Sequence, residues 1–401
     1  MTASGKSRRL RVLLISIVPP HNDCGVRIVM FRHLVERQPF DLHVASTADF
    51  AEGLLIHTRL GLPGPLQRLR KSRAGPTLAK WLHDYENHIW PLTIDRRLQR
   101  VIDTFRPQVI LTLAEAGLCH MAARAARRNG IPLACLFLDW FPIMPPHRGH
   151  QIFQALLSRR YRRLYRQCDL AICTSDGMMA ALGPHPNAHV VYPMPGAHHM
   201  PQRIHPPRNG KFRIVYVGAG QSFYGRMLRG LRRQIRGRDD LELVIVGPTN
   251  DWPADEREQA RADGTCLGFM PPEQAAEVLA GADALLVVMS FEPEQELFMR
   301  TSFTTKFLDY AAFHKPIMLW GPPYCTPFQV AKREDAALII DSPEPDAVVR
   351  GATHLLNHPE ERDRLAEAAK RLSEHLFHPD RLQEILVREI TKLTTRQAGA
   401  P

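Results

Sequence analysis

The chain has 401 residues, of which 44% are apolar, and it carries a formal net charge of +11. This length favours two domains, and the apolar fraction is enough for packed cores, which excludes a disordered chain. The seven cysteines form no C-x-x-C pair, and no apolar run approaches the ~20 residues of a membrane-spanning helix, so we expect a reduced cytoplasmic protein without a zinc site or a disulfide scaffold.

The positive charge is concentrated in the first half of the chain. Residues 1–200 contain 26 Lys and Arg against 13 Asp and Glu, whereas the remaining residues are close to neutral. A basic half predicts an anionic partner such as membrane lipid, a lipid-diphosphate acceptor or nucleic acid. Nucleic acid is the least favoured of these, because the sequence holds no known nucleic-acid-binding motif and few aromatic residues for stacking.

Apolar strands alternate with helices in this first half, which is typical of a parallel α/β domain. Apolar runs predict strands at 10–18, 42–46, 109–113, 133–138 and 168–175, and helical patterns cover 26–37 and 152–167. Glu115 and Asp139 directly follow two of these strands, at the edge where open α/β sheets hold their chemistry.

Residues 53–80 form a basic, leucine-rich segment that interrupts the alternation. Glycines and prolines at 61–65 break any long helix, and the leucines are interspersed with Arg59, Arg68, Arg70, Lys71 and Arg73. The segment fits an interfacial element that contacts anionic lipid, and it also fits a loop with apolar core anchors and solvated arginines. The sequence leaves both interpretations open.

The pattern restarts after a stretch dense in Pro and Gly at 193–211, which predicts a linker to a second α/β domain. Strands are predicted at 212–217, 241–246, 284–289 and 317–320, with a short strand and loop at 264–270 and a helix at 273–280. A last helix at 380–393 precedes residues 394–401, which we expect to be disordered. The predicted domains are therefore 1–200 and 201–378, with a C-terminal segment at 379–401.

The segment 302–316, between two of these strands, has the pattern of a helix with an anion site at its start. Ser302 or Thr304 can cap the helix, and Lys306 lies in its first turn, where a cation opposes the helix dipole. A bound phosphate would reverse this, because it would receive the helix amides, the Lys306 ammonium and the hydroxyls of Ser302, Thr304 and Thr305. Asp309, one turn on, can accept hydrogen bonds from ribose hydroxyls, although a core helix with a solvated Lys and Asp fits equally.

Lys306, Asp309-Tyr310 and Lys315-Pro316, placed between two apolar strands, resemble the donor-binding region of GT-B glycosyltransferases. The resemblance is nearest to bacterial family 4 and its relatives, which build exopolysaccharide or cell-surface glycans. It implies an α/β fold of two Rossmann-like domains that face each other across a cleft, with a C-terminal helix that crosses back to the first domain. It assigns Lys306 to the donor diphosphate and Asp309 to the ribose. Thr301 departs from the family, since many members carry another Glu there.

The resemblance also implies further binding residues in both halves. On the donor side these are two glycines that admit the phosphates, an arginine near the phosphate-binding position and two residues of the loop that contacts the base: Gly218, Gly220, Arg226, Phe269 and Met270. On the acceptor side, Gly25 and Arg27 resemble the glycine-rich loop after the first strand. Read without the resemblance, Arg226 fits a solvated arginine, and Phe269 and Met270 fit core residues equally well.

Asp139 is the first candidate for the catalytic base. Its position matches the strand end that faces the acceptor in the family, and its neighbours Leu138 and Trp140 would desolvate it and raise its pKa. A helix cap or a loop carboxylate is the alternative interpretation of Asp139. Glu115 is the second candidate, either as base or as a ligand of the acceptor hydroxyl. The chain has no D-x-D motif and the family usually needs no metal, so we expect neither a metal nor a cofactor.

The resemblance implies a glycosyltransferase that moves a sugar from a nucleotide diphosphate donor, with UDP favoured, to a lipid-linked or polysaccharide acceptor. We expect it to be a peripheral protein at the cytoplasmic face of the plasma membrane, held by an anionic lipid surface, and not to bind nucleic acid. One alternative is a nucleotide-sugar 2-epimerase of the same architecture. The other is a non-catalytic nucleotide-sugar binder, which Thr301 in place of the family Glu would suit.

Overall fold

The structure is a computed structural model that describes residues 9–23, 25–48, 55–62, 64–72, 77–143, 153–196 and 210–398. The chain forms two compact units, the first composed of Met1–Tyr192 and Leu382–Pro401 and the second of Pro193–Arg381. The chain thus leaves the first unit at the start of the predicted linker, most of which lies outside the described residues. It returns to the first unit within its last helix.

The first unit is built on a parallel sheet, which in the described residues has the strand order β3-β2-β1-β4-β5-β6-β7. These strands are β1 (Arg11–Ser16), β2 (Asp41–Ser46), β3 (Ile56–Arg59), β4 (Val109–Leu113), β5 (Leu133–Phe137), β6 (Leu170–Cys173) and β7 (Ala188–Val190). β4 and β5 are buried along their whole length, because helices cover both faces of such a sheet. The strand order changes direction between β1 and β4, which makes their carboxyl ends the switch point where α/β sheets bind ligands.

The helices of the first unit follow their sequence signals closely. They are α1 (Gly25–Leu34), α2 (Gly64–Lys71), α3 (Ala79–Asp84), α4 (Arg96–Phe105), α5 (Leu118–Asn129), α6 (Gln154–Gln167) and α7 (Asp176–Leu182), with a π-helix at Tyr85–Ile89 and short 3-10 turns at Trp90–Leu92 and Phe141–Ile143. α4 begins where the Asp95 carboxylate accepts the Arg97 N–H at 2.7 Å. α5 ends at Gly130, whose φ of 63° is left-handed.

The second unit repeats the plan with a sheet ordered β10-β9-β8-β11-β12-β13 in the described residues. Its strands are β8 (Phe212–Val217), β9 (Leu241–Val246), β10 (Cys266–Gly268), β11 (Ala284–Val288), β12 (Ile317–Trp320) and β13 (Leu338–Ile340). Its helices are α8 (Ser222–Ile235), α9 (Ala254–Ala262), α10 (Pro272–Ala280), α11 (Glu296–Thr301), α12 (Thr305–Ala311), α13 (Thr326–Glu334), α14 (Pro345–Asn357) and α15 (Pro359–Glu374). The switch point lies between β8 and β11.

The last helix, α16 (Pro379–Ala398), completes the core of the first unit. Leu386, Ile390 and Leu393 pack among the buried residues of that core. The Gln383 side chain also donates a hydrogen bond to the carbonyl of His33 in the first unit, at 3.2 Å. Two parallel-sheet, Rossmann-like units confirm the predicted fold class, and the predicted return of the last helix to the first domain is present.

Three local features differ from the sequence predictions. Residues 394–398 continue α16, so the expected disorder after Leu393 does not begin there. Residues 56–59, for which no strand was predicted, form the edge strand β3, which pairs in parallel with β2. The helix predicted within 302–316 is present as α12 but is shorter, and a separate helix, α11, precedes it and ends at Ser302.

Candidate active site

The carboxyl end of β8 brings Gly218 and Lys306 into contact. Gly218 has a φ of 143°, and a Cβ placed on it would lie 2.3 Å from Cε and 3.0 Å from Nζ of Lys306. Only a residue without a side chain therefore leaves room for this lysine. Gly247, at the end of β9, must also lack a side chain, because a Cβ there would lie 2.0 Å from the Gly218 carbonyl oxygen. The structure thus brings the predicted residues Gly218 and Lys306 together at the switch point.

The Lys306 ammonium lies over two aromatic rings, 5.4 Å from the Tyr216 ring centre and 5.1 Å from that of Tyr224. Such contacts attract a cation without neutralising it. Desolvation by burial lowers the pKa of Lys306 from 10.5 to about 8, and the Asp309 carboxylate opposes this shift. Burial therefore destabilises the charged form of Lys306, and an anion bound beside it would raise its pKa towards the usual value.

Helix α12 positions Lys306, and it begins directly after Thr304, the second of the two predicted cap residues. Ser302 closes α11, with its N–H bonded to the Phe298 carbonyl at 2.9 Å, and Thr304 precedes α12 without a side-chain cap. Thr301, at the position of the family Glu, is fully buried and donates its hydroxyl to the Leu297 carbonyl at 2.7 Å. The Thr301 hydroxyl therefore makes a hydrogen bond within α11, the helix that contains it.

Asp309 and its neighbour Tyr310 join α12 to the surrounding chain. Oδ1 of Asp309 accepts the Gly196 N–H at 2.9 Å, so one carboxylate oxygen already orders the segment that enters the second unit. The Tyr310 hydroxyl accepts the Val217 N–H at 2.8 Å and so fixes α12 to the end of β8. The sequence marks Tyr310 only as part of the family motif, and its hydrogen bond to the end of β8 becomes visible only in the fold.

The remaining donor-side candidates lie around the same edge with different surroundings. Arg226 donates through Nε to the Glu292 carboxylate at 2.9 Å and is 61% exposed. The Gly220 carbonyl accepts the Trp252 indole N–H at 2.7 Å. Phe269, directly after β10, is 85% exposed, which argues against its alternative interpretation as a core residue, and Met270 is partly buried. A large exposed aromatic ring is available for stacking.

In the first unit, Glu115 and Asp139 follow the neighbouring strands β4 and β5. Desolvation, reinforced by the negative charge of Asp139, raises the pKa of Glu115 from 4.5 to about 8. The Asp139 backbone is fixed, since its carbonyl accepts the Tyr161 hydroxyl at 3.0 Å and the Phe141 N–H at 2.9 Å. Glu115 is therefore mostly protonated at neutral pH, and a carboxylic acid beside a second carboxyl group is a common arrangement for acid–base chemistry.

Gly117 allows the π-helix at Tyr85–Ile89 to pack against this strand end. A Cβ on Gly117 would lie 2.2 Å from the Glu86 carbonyl oxygen and 2.8 Å from Cα of Asn87. Arg160 of α6 then donates through Nη1 to the Asn87 carbonyl at 3.0 Å and contacts Nδ1 of His88 at 3.2 Å. Gly117 and Arg160 are far apart in the sequence, and no local pattern predicts that they contact the same π-helix.

The acceptor-side pair Gly25 and Arg27 lies at the start of α1. Gly25 has a φ of 58°, and no atom lies within 4 Å of where its Cβ would be. Nη1 of Arg27 donates to the Asp23 carboxylate, so its charge is already paired. Within the described residues, no group of three or more His, Cys, Asp and Glu side chains is arranged to hold a metal ion. No helix in the described part of the chain is long and apolar enough to cross a membrane.

Comparison with known proteins relates both units to glycosyltransferases. Residues 32–194 match Glycosyltransferase Family 4, and residues 225–386 match a family described as glycosyl transferase-like. None of the curated proteins compared with the chain matches it.

Solved structures share the fold of the chain at low sequence identity. HepE (Alr3699) from Anabaena, solved in complex with UDP-glucose, is 12% identical with a TM-score of 0.65, covering 95% of this chain and 100% of its own. Sucrose-phosphate synthase from Thermosynechococcus elongatus is 12% identical with a TM-score of 0.64, covering 97% and 100%. WaaG, a glycosyltransferase involved in lipopolysaccharide biosynthesis, is 13% identical with a TM-score of 0.55, covering 93% and 99%.

Two parallel sheets with open switch points, together with these matches, define a glycosyltransferase with the GT-B fold. The chain carries a family 4 glycosyltransferase domain in its first half, followed by a glycosyl transferase-like domain. The predicted resemblance is confirmed at this level.

Proposed function

We propose that this glycosyltransferase moves a sugar from a UDP-sugar to a lipid-linked or polysaccharide acceptor at the cytoplasmic face of the membrane, in the assembly of a cell-surface glycan. The reaction needs no metal ion or other cofactor. The observation that carries the proposal is the Lys306 ammonium against Gly218, at the switch point of the second sheet. A structure similar along most of this chain, that of HepE, was solved with UDP-glucose bound.

On the donor side, Lys306 would contact the diphosphate as the bond to the sugar breaks. Negative charge then grows on the leaving phosphate, and a fixed cation in a partly desolvated position stabilises it more than bulk water would. The lowered pKa of Lys306 supports this role, because burial destabilises the charge of Lys306 and a bound diphosphate would give that charge a partner. Gly218 lets the backbone and the diphosphate approach each other closely.

On the acceptor side, Asp139 would take the proton of the attacking hydroxyl. A base must be charged before the step, and Glu115, with its pKa raised to about 8, is protonated at neutral pH. Glu115 can therefore donate a hydrogen bond to the acceptor while Asp139 accepts one.

One assay with UDP-sugars tests the function and separates its alternatives. The purified protein is incubated with each UDP-sugar, with and without a glycan or lipid-linked acceptor, and the products are identified by mass spectrometry. Transfer, or slow release of UDP without an acceptor, is the expected result. A change of sugar configuration with the donor otherwise intact would identify an epimerase, and binding without any conversion would identify a binder.

Replacing Gly218 with Ala is expected to weaken UDP binding at least tenfold. The added Cβ would occupy the space of Lys306 Cε and displace the ammonium, in addition to straining a residue with a φ of 143°. Gly237→Ala is the matched control, because Gly237 has a φ of 83° with no atom within 4 Å of its Cβ position. Calorimetry that finds equal UDP affinity in both variants would separate Gly218 from the donor site.

The basic segment at 53–80 contains both buried leucines and exposed basic residues, as its two interpretations required. Leu60 and Leu62 are buried as core anchors, whereas α2 has no fully buried residue and exposes Arg68, Arg70 and Lys71. Nη1 of Arg70 is bonded to the Glu86 carboxylate at 2.7 Å. Arg73 lies outside the described residues. A short helix with a basic exposed face is suited to reversible contact with anionic lipid.

We expect the protein to sediment with anionic vesicles but not with zwitterionic ones, and high salt should release it. Each Lys or Arg near an anionic surface contributes about 1 kcal/mol, which salt screens. Replacing Arg68 and Lys71 with Gln should therefore weaken vesicle binding about tenfold or more. Arg127 and Arg128, exposed at the end of α5, provide a double Gln control with the same loss of charge. An equal effect of the two double variants would assign the binding to net charge alone.

A further inference from the structure

An apolar groove opens in the first unit between α2, α3 and the π-helix. Its volume is about 380 Å³, within the range of small-molecule sites, and its lining is almost wholly apolar. Leu66 and Leu69 of α2, Trp81 of α3 and Ile89 form most of it. Trp81 is 62% exposed and Ile89 is 54% exposed, so the groove presents two large apolar side chains to solvent.

His88 connects this groove to a cation. The His88 ring lines the groove beside Phe153, with 5.0 Å between the ring centres. Its Nδ1 lies 3.2 Å from Nη1 of Arg160. Desolvation by burial and the Arg160 charge both lower the pKa of His88, so the ring adds a hydrogen bond and not a charge to any anion bound there. The groove therefore ends at an imidazole, and the Arg160 guanidinium lies on the other side of that ring, outside the residues that line the groove.

Arg160 is a partly buried cation whose hydrogen bonds go to a carbonyl and an imidazole. It has no carboxylate within ion-pair distance in the described part of the chain. A desolvated guanidinium with only neutral partners is costly, and an anion with two or more oxygens would match its planar fork. Arg160 also lies close enough to Cys119 and His120, at the start of α5, to shift the pKa of both groups. Glu115 also raises the pKa of Cys119, so Arg160 and Glu115 both lie near this thiol.

We infer that Arg160, with His88, binds the phosphate or diphosphate of a lipid-linked acceptor whose single hydrocarbon chain occupies the apolar groove, so that the reacting hydroxyl reaches Glu115 and Asp139. This inference rests on the proposed function and names the residues that would recognise its acceptor. Charge complementarity favours this occupant, because Arg160, a cation that lacks an acidic partner among the described residues, contacts the His88 ring that lines the groove. A neutral lipid or an apolar protein segment would leave that cation uncompensated.

The test measures binding of three probes to the whole protein by calorimetry: farnesyl diphosphate, farnesol and inorganic diphosphate. We expect farnesyl diphosphate to bind at least tenfold more tightly than either of the others, because only it fills both parts of the site. Arg160→Gln should weaken the binding of farnesyl diphosphate at least tenfold without changing the weak affinity for farnesol. Trp81→Ser should weaken farnesyl diphosphate and farnesol alike. Arg163→Gln, an exposed arginine on the same helix, should change none of these values.

Several outcomes would overturn the inference. Equal affinity for diphosphate and farnesyl diphosphate would show that the groove does not bind the hydrocarbon chain. Unchanged binding of farnesyl diphosphate by Arg160→Gln would show that Arg160 does not bind the diphosphate. Displacement of the probe by an equal concentration of phosphatidylglycerol in vesicles would make the groove a general lipid site. UDP affinity and melting temperature of each variant show that the fold and the donor site are intact. Probe binding that obeys these expectations in a protein without transferase activity would leave the lipid site standing while the proposed function failed.

Discussion

Asp139→Asn is expected to reduce sugar transfer by about 10²–10⁴-fold, the usual contribution of a general base. An amide cannot accept the proton of the acceptor hydroxyl, yet it keeps the size and the hydrogen-bonding capacity of the carboxylate. The backbone contacts of Asp139 to Tyr161 and Phe141 use main-chain atoms, so the substitution leaves them in place. UDP affinity should stay within about twofold of that of the unaltered protein, because Asp139 belongs to the first unit and the proposed donor site to the second.

Glu115→Gln is the matched control for this prediction. Glutamine resembles the protonated acid that a pKa of about 8 gives Glu115 at neutral pH, so this variant should keep most of its activity at pH 7. In the unaltered protein, activity should decline above pH 8 as Glu115 loses its proton, and the variant should lack that decline. Loss of activity in Glu115→Gln together with normal turnover in Asp139→Asn would exchange the two roles.

Lys306→Ala is expected to weaken UDP binding about 10- to 100-fold and UMP binding much less. The ammonium is proposed to contact the distal phosphate, and a hydrogen bond to a charged group contributes about 1.5–3 kcal/mol. Lys332→Ala, an exposed lysine on α13, is the matched control and should bind both nucleotides normally. Calorimetric titrations at one ionic strength measure all four combinations. Equal weakening of UDP and UMP would place Lys306 away from the distal phosphate.

The same lysine predicts how UDP binding depends on pH. Burial lowers the pKa of Lys306 to about 8 in the free protein, whereas a bound diphosphate would raise it. UDP binding should then take up a proton above pH 8, so its affinity should fall by up to tenfold per pH unit there. Lys306→Ala should lose this dependence. A flat profile in the unaltered protein would contradict a direct contact between the ammonium and the diphosphate.

The regular part of the fold was predictable because its signals are local. The strand Val109–Leu113 is an unbroken apolar run in the sequence and lies buried between helices in the structure. The edge strand Ile56–Arg59 escaped prediction because its residues are largely polar and its pairing depends on β2. The short helix α11 was missed as well, because its 6 residues are too few to show a helical spacing of apolar residues.

The candidate site was predictable only where a linear motif marks it. Lys306 and Asp309 lie in one motif, and Glu115 and Asp139 follow recognisable strands. The contact of Lys306 with Gly218 required the folded switch point, since two sequence-distant loops meet there. The pair Arg160 and His88 is separated by 72 residues, and no local pattern joins an arginine of α6 to a histidine of a π-helix. Tertiary packing, with Gly117 as its permissive position, creates that pair.

Helix α16 has a consequence for how the protein is made. The first unit takes Leu386, Ile390 and Leu393 into its core, but these residues leave the ribosome only after the whole second unit has been synthesised. Until then, the apolar surface that they cover in the first unit remains accessible to water and to other nascent chains. Folding therefore cannot finish strictly from the N-terminus onward. The second unit can complete its own core first, and the first unit, although it is translated earlier, completes its core last.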